Sequence, residues 1–154
     1  MNYLAHVYLS RENIDLAIGN FIADNIKGNN YKKFNINWQK GILLHRFIDS
    51  YTDSHYIFRE HSKLFFDSHR HYSGVLIDIF YDHFLAKNWK KYSRISLENF
   101  EFNFCKSLAQ NLNKFPNEMS NKIRFFICQK WFTKYSSIKG LIYILEKMDN
   151  KTQF

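Results

Sequence analysis

Residues 41–56 read GILLHRFIDSYTDSHY, and their periodicity decides the fold class. At 3.6 residues per turn, His45, Asp49 and Asp53 follow one another at intervals of four and fall within an arc of about 80° on one helix face. Apolar side chains fill the opposite arc: Leu43, Leu44, Phe47, Ile48 and Tyr51. The segment therefore predicts an amphipathic helix with an imidazole and two carboxylates stacked on successive turns. A solvated polar helix face is the alternative interpretation.

The rest of the 154-residue chain shows the same helical periodicity. Hydrophobic residues make up 45% of it, which suffices for a core, and a single proline means that almost nothing interrupts helices internally. No stretch alternates with a period of two. We expect one compact all-α domain over residues 1–154 with roughly seven to eight helices, at about 2–10, 14–28, 37–55, 57–70, 75–90, 96–111, 120–135 and 137–148.

The net charge of +8 lies entirely in the second half of the chain. Residues 1–83 hold nine Lys or Arg and nine Asp or Glu, whereas residues 84–154 hold thirteen against five. All seven histidines and seven of the eight aspartates lie in the neutral half. This division predicts a chemical site in the first half and a basic docking surface in the second. A solvated basic face without a partner is the alternative.

Composition excludes several protein classes. Two cysteines, Cys105 and Cys128, without any CxxC motif, fit neither a disulfide scaffold nor a zinc knuckle, and we expect both to be reduced core residues. The first residues lack the basic region of a signal peptide, and no apolar run approaches the ~18 residues of a membrane span. These features predict a cytoplasmic protein without a membrane partner.

A second helix, over residues 75–90, carries two aspartates among apolar side chains. Asp78 and Asp82 share one face, and apolar residues surround them on nearly all sides. Buried carboxylates one turn apart are costly unless their charge is neutralised. A bound cation would neutralise them, and so would a salt bridge to Arg46 or Arg59.

Three further side chains extend this polar set. Asp24 lies on the apolar side of its helix, while His6 and His83 are candidates to complete a ligand group or, singly, hydrogen-bonded structural histidines. Mixed His and Asp ligands favour Mn²⁺, Mg²⁺, Fe²⁺ or Zn²⁺ over soft metals. Such cations activate water and neutralise phosphoryl oxygens, which favours phosphoester hydrolysis. Three basic residues could bind the remaining phosphate charge: Lys27, Arg46 and Arg59.

Four motifs in this order resemble a known family, the acyl carrier protein phosphodiesterases. They are MNYLAH at 1–6, GNFIADNIKG at 19–28, GILLHRFIDSYTDSH at 41–55 and GVLIDIFYDHFLAKNW at 74–89, followed by the weaker WFTKY at 131–135 and IKGLIYILEKM at 138–148. The resemblance implies an all-helical, HD-like phosphohydrolase that uses a divalent cation, typically Mn²⁺. It also implies cleavage of the phosphodiester between 4′-phosphopantetheine and a serine of holo acyl carrier protein, an acidic substrate suited to the basic half.

Matched position by position, the resemblance covers the polar residues above, and the division into roles that follows is our own inference because the motifs do not separate metal ligands from their neighbours. The expected metal ligands are His6, Asp24, His45, Asp78 and Asp82. The expected catalytic residues are Asp49, Asp53 and His83. Two features depart from the pattern: the adjacent His-Asp pair of HD proteins is replaced by the reversed pair Asp82-His83, and family members usually continue for some tens of residues further.

Two other functions remain open from the residues alone. An HD-like phosphohydrolase of nucleotides or alarmones would use the same metal site on a different substrate. A non-catalytic helical module could bind nucleic acid through the basic half, although the chain has no recognised nucleic-acid-binding motif. Turnover of a carrier protein, turnover of a nucleotide, and salt-sensitive binding unaffected by chelators distinguish the three.

Overall fold

The computed structural model describes residues 3–149 of the chain, and over these residues it is all-α, as the sequence predicts. The α-helices are α1 Tyr3–Leu9, α2 Ile14–Ile22, α3 Ile36–Ser54, α4 Tyr56–His69, α5 Ser73–Lys87, α6 Leu97–Gln110, α7 Asn117–Gln129, α8 Trp131–Tyr135 and α9 Ile138–Asp149. Short 3₁₀ helices lie between them at Ala23–Asn25, Gly28–Lys33, Arg70–Tyr72, Trp89–Lys91 and Leu112–Lys114. None of the helices described is long and apolar enough to cross a lipid bilayer.

The chain folds into two compact units, Met1–Tyr81 and Asp82–Phe154. The helix α5 continues through the boundary without a break. The boundary falls within two residues of the point where the charge balance of the sequence changes. The single domain expected from the sequence therefore stays a prediction, and each unit is described by itself below.

Two local features differ from the helices expected at the sequence level. The helix expected over residues 120–135 begins earlier and is broken at Lys130, whose φ of 51° and ψ of 58° place it in the left-handed region. A left-handed residue cannot continue a right-handed helix, so α7 ends and α8 begins there. The cap of α3 is Asn35 rather than Asn37, because the Asn35 side chain accepts hydrogen bonds from the backbone N–H groups of Asn37 and Trp38.

In the first unit, α2 and α3 pack backbone against backbone. Their crossing point is formed by Gly19 and Gly41, where any Cβ would collide with the other helix. A Cβ on Gly41 would lie 2.7 Å from the backbone nitrogen of Asn20 and 2.8 Å from the Cα of Gly19. Two glycines are thus required for the close approach that brings the polar residues of α2 and α3 together.

The buried face of α3 includes one polar side chain, the imidazole of His45. His45 is buried together with Trp38 and Ile42, whereas Phe47 and Tyr51 are 69% and 63% exposed. The solvated polar face considered for this helix is therefore wrong for His45. The amphipathic pattern identifies two faces of α3, and the polar face is buried only at His45, while Asp49 is half-exposed and Asp53 is exposed.

In the second unit, a buried carboxylate organises the start of α8. Glu101 of α6 accepts hydrogen bonds from the backbone N–H groups of Phe132 (2.7 Å) and Thr133 (3.2 Å) and from the Thr133 hydroxyl (2.8 Å). It thereby satisfies N–H groups that have no partner within the helix. Of the two cysteines, only Cys105 is partly buried; Cys128 is exposed on α7 and does not belong to the core.

Candidate metal centre

Two histidines and an aspartate from α1 and α3 meet in the first unit. The Nε2 atom of His45 lies 3.0 Å from Oδ2 of Asp49, one helical turn further along α3. The other oxygen of the same carboxylate, Oδ1, lies 3.0 Å from Nε2 of His6 on α1. Asp49 therefore bridges two imidazoles that are both buried, while its own carboxylate is half-exposed.

A second carboxylate approaches the same imidazole nitrogen. Asp24 lies in the 3₁₀ turn that directly follows α2, and its Oδ1 is 3.1 Å from Nε2 of His45. The two imidazole rings of His6 and His45 stack with centroids 3.9 Å apart and planes 18° apart. Asp24 thus extends the hydrogen bonds around His45 to a third element, while the ligand atoms that lie within 4.8 Å of one another are those of His6, His45 and Asp49.

Electrostatics within the cluster favour a protonated His45 in the metal-free protein. Burial alone would lower the pKa of His45, but hydrogen bonds to Asp24 and Asp49 and their charges outweigh it and raise that pKa to about 9. Burial would likewise raise the pKa of each aspartate, and contact with His45 instead holds both below the usual range. The proton on Nε2 of His45 thus lies between the carboxylates of Asp24 and Asp49, and a metal cation in the same place would also be attracted by both charges.

The donor set fits a divalent cation. His6, His45 and Asp49 each offer a ligand atom, and these atoms lie within 4.8 Å of one another. The Nδ1 atom of His6 is buried and has no hydrogen-bond partner among the residues described, which is costly in a finished polar network. Imidazole and carboxylate ligands without thiolate suit Mn²⁺, Mg²⁺, Fe²⁺ or Zn²⁺. Asp49 therefore lies among the ligand candidates, although the sequence predicts a catalytic role for it.

Sequence reasoning did not single out Asn20 or Ser10, which support the cluster from behind. Asn20 is fully buried on α2, and its Oδ1 lies 3.1 Å from Nδ1 of His45. The Asn20 amide nitrogen donates to the backbone oxygen of His6 (2.8 Å) and to the Ser10 hydroxyl oxygen (3.0 Å). The available signal was spacing, because Asn20 precedes Asp24 by four residues within the quoted GNFIAD motif.

Comparison with known proteins decides the family. The model of one protein family, described as acyl carrier protein phosphodiesterase, matches residues 1–154. The chain belongs to this family. Curated relatives of the same name include one from Photorhabdus laumondii subsp. laumondii, 30% identical over 96% of this chain and 75% of the relative. One from Pectobacterium atrosepticum is 29% identical over 96% and 77%. No solved structure matches the chain.

The family expected from the four motifs is thereby confirmed, and the remaining predicted residues can be located in this acyl carrier protein phosphodiesterase family member. Asp53 and Asp78 lie in the first unit with Asp49. Partial burial and the charges of Asp78 and Asp49 raise the pKa of the Asp53 carboxyl. Asp53 is therefore a carboxyl that holds a proton more readily than an isolated aspartic acid.

Asp82 and His83 belong to the second unit. Asp82 is fully buried, as the apolar surroundings of its helix predict. His83 is buried as well, and its Nδ1 donates a hydrogen bond of 2.6 Å to the backbone oxygen of Tyr135. This bond fixes the ring of His83 within the second unit. Metal ligation by Asp82 and proton transfer by His83 stay predictions.

The three basic residues predicted to bind phosphate have different surroundings. The Nη2 of Arg46 donates to the backbone oxygens of Ile26 (3.0 Å) and Gly28 (2.8 Å), so that this arginine closes the loop after Asp24. Arg59 donates through Nε to a backbone oxygen at the end of α3, and Lys27 is exposed. Their phosphate-binding role stays a prediction.

Proposed function

We propose that this chain is a divalent-metal-dependent phosphodiesterase that removes 4′-phosphopantetheine from holo acyl carrier protein. Family membership over residues 1–154 supports the reaction. The observation that carries the metal dependence is the convergence of His6, His45 and Asp49 on one point. When bound, the cation would act as a Lewis acid on the phosphoryl oxygens and would lower the pKa of water.

We propose His6, His45, Asp49 and Asp24 as the residues that hold the cation, with Mn²⁺ as the expected ion. The two imidazoles supply nitrogen ligands, and the two carboxylates supply negative charge beside them. Mn²⁺ accepts both ligand types and competes for them with Mg²⁺, Fe²⁺ and Zn²⁺. Measured affinities for the four ions, taken on one protein preparation, identify which is preferred.

The reaction requires one proton to reach the departing serine oxygen. The oxygen of water forms a new bond to phosphorus, the bond between phosphorus and the serine oxygen breaks, and that oxygen takes up a proton. We propose Asp53 for this task because partial burial and the charges of Asp78 and Asp49 raise the pKa of its carboxyl above that of an isolated aspartic acid. The products are 4′-phosphopantetheine and the apo carrier, and the proton lost by water restores the balance.

We propose that the carrier docks on the basic second unit. Its most concentrated cationic segment spans residues 87–94, where Lys87, Lys90, Lys91 and Arg94 are all exposed. Acyl carrier proteins are acidic, so attraction to this segment would raise the rate of encounter and orient the substrate. A cytoplasmic location, as expected from the sequence, fits an enzyme acting on such a carrier.

The test of the reaction is a time course with purified holo acyl carrier protein, read by mass spectrometry of the carrier. Loss of the phosphopantetheine mass with Mn²⁺, and its abolition by EDTA, is the expected result. Asp49→Asn should abolish turnover, whereas the exposed α4 substitution Asp67→Asn should leave it unchanged. Turnover of nucleotides in place of the carrier, or carrier turnover that EDTA does not affect, would contradict the proposal.

The docking proposal is tested separately. The triple variant Lys87→Glu, Lys90→Glu, Lys91→Glu should raise KM for the carrier while kcat stays near the wild-type value, and added salt should reduce the difference. The control is the double variant Lys32→Glu, Lys33→Glu, which changes exposed lysines of the first unit. An equal effect of both variants on KM would point to net charge and not to this segment.

A further inference from the structure

Ser10 and Asn20 form a hydrogen-bonded network with the backbone oxygen of His6 and the Nδ1 atom of His45. The backbone oxygen of His6 lies in the last turn of α1, where carbonyls lack partners within the helix. It accepts hydrogen bonds from the Ser10 hydroxyl (3.0 Å) and from the Asn20 amide nitrogen (2.8 Å). The second hydrogen of that nitrogen is donated to Ser10 Oγ. Both donors of Asn20 are therefore used.

This network fixes which end of the Asn20 amide faces His45. A backbone carbonyl can only accept, so the amide nitrogen must lie toward His6 and the amide oxygen toward His45. The reversed amide would place two oxygens against each other in a buried site. Because Oδ1 of Asn20 only accepts, the Nδ1 atom of His45, 3.1 Å away, must carry a hydrogen.

We infer that Asn20 is a positioning residue that holds the His45 ring with its hydrogen on Nδ1, so that Nε2 is directed at the metal position. This inference rests on the proposed metal site. A neutral imidazole has one N–H and one lone pair, and a hydrogen held on Nδ1 leaves the lone pair on Nε2. Nε2 is the atom that lies 3.0–3.1 Å from the carboxylates of Asp49 and Asp24.

The two histidines of the cluster differ in this support. His45 has Asn20 behind it, whereas Nδ1 of His6 is buried without a partner among the described residues. Partners on the far nitrogen of a ligating histidine fix its orientation, and their removal typically weakens metal binding ~10–100-fold. The contribution of Asn20 should therefore appear in metal affinity and in the His45 ring itself, and not only in turnover.

The first measurement uses metal-free, ¹⁵N-labelled protein. Wild type should show a His45 Nδ1–H resonance protected from exchange with water. Asn20→Leu, similar in size but unable to accept a hydrogen bond, should lose this protection. Asn13→Ala is the matched control: it removes the side-chain cap of the same helix, so it should lower the unfolding midpoint but leave the resonance unchanged.

The second measurement is Mn²⁺ affinity by calorimetry on the same three proteins. Asn20→Leu should bind Mn²⁺ ~10–100-fold more weakly than wild type, while Asn13→Ala stays close to it. A folded Asn20→Leu protein with a protected Nδ1–H and wild-type affinity would overturn the inference. If Asn20→Leu does not fold, the wild-type protein decides: the absence of an exchange-protected His45 Nδ1–H resonance also overturns the inference. A protected Nδ1–H in a protein that binds no Mn²⁺ would support the positioning and refute the metal proposal.

Discussion

Replacing Gly41 by alanine should separate α2 from α3 and dismantle the cluster formed by His6, His45, Asp49 and Asp24. The new Cβ would lie 2.7 Å from the backbone nitrogen of Asn20, and it would approach the backbone oxygen of Leu16 more closely still. Ordinary van der Waals contact begins at 3.4 Å. Backbone atoms cannot rotate out of the way, so the two helices must move apart by about 0.7 Å or more at this point.

A displacement of this size acts directly on the cluster. Asp24 and Asn20 each lie 3.1 Å from a ring nitrogen of His45, and a movement of about 0.7 Å would lengthen these distances to about 3.8 Å, beyond hydrogen-bonding range. Overpacking costs ~1–3 kcal/mol and the lost hydrogen bonds add to it, while the helix propensity of alanine returns ~1 kcal/mol. We expect a net loss of about 2–4 kcal/mol in the free energy of unfolding.

The assay is urea denaturation together with Mn²⁺ titration, and Gly74→Ala is the control. A Cβ on Gly74 would lie 3.7 Å from the nearest atom, in the ring of Phe58, which is ordinary contact. Because Gly74 lies in the first turn of α5, alanine there should be neutral or stabilise by up to ~1 kcal/mol. Mn²⁺ binding should be weakened only by Gly41→Ala.

The reasoning would be refuted if Gly41→Ala and Gly74→Ala had the same unfolding free energy and bound Mn²⁺ equally well. In that case the backbone contact between α2 and α3 would not set the geometry of the cluster. A stable Gly41→Ala protein with weakened Mn²⁺ binding would instead indicate that the substitution displaces the proposed ligands without lowering the free energy of unfolding.

Three other predictions test the electrostatics and the packing. The pKa of His45 is raised from 6.5 to about 9, so its ion pairs stabilise the metal-free protein fully below pH 6.5 and are lost as the pH rises toward 9. The free energy of unfolding measured with urea should therefore fall between pH 6.5 and 9, and His45→Gln should abolish this pH dependence. Glu101→Gln should lower the free energy of unfolding by ~1–3 kcal/mol because buried N–H donors lose a charged acceptor, whereas Glu118→Gln, at an exposed ion pair, should leave the thermal midpoint nearly unchanged. Gly140→Ala should lower the melting temperature, since its Cβ would lie 2.7 Å from the backbone carbonyl carbon of Lys134.

Much of the first unit could be predicted from local sequence. The spacing of His45 and Asp49 along α3 follows from 3.6 residues per turn, and their contact in the structure is the expected one between i and i+4. The four motifs indicated the family, and the family match confirms it. In the second unit, α6 also begins where the sequence predicts, because the Ser96 hydroxyl accepts a hydrogen bond from the Asn99 N–H.

Other features depend on tertiary contacts that no local pattern contains. Periodicity identifies the two faces of α3 but not which one is buried, and the exposure of Phe47 became evident only with the packing of α2. The burial of Asn20 depends on a glycine crossing between helices. The left-handed conformation of Lys130 was equally hidden, because lysine has no intrinsic preference for it.

The residues of the cluster lie near the start of the chain, which is synthesised first. His6, Asp24, His45 and Asp49 all come from the first third of the 154 residues. The contacts among them span up to 43 residues, and none of them involves a residue of the second unit. During translation, which proceeds from the N-terminus, these ligands leave the ribosome before most of the basic second unit. If the proposed metal site and docking surface are correct, metal capture by the nascent chain and recognition of the carrier by the finished protein can be separate events in time.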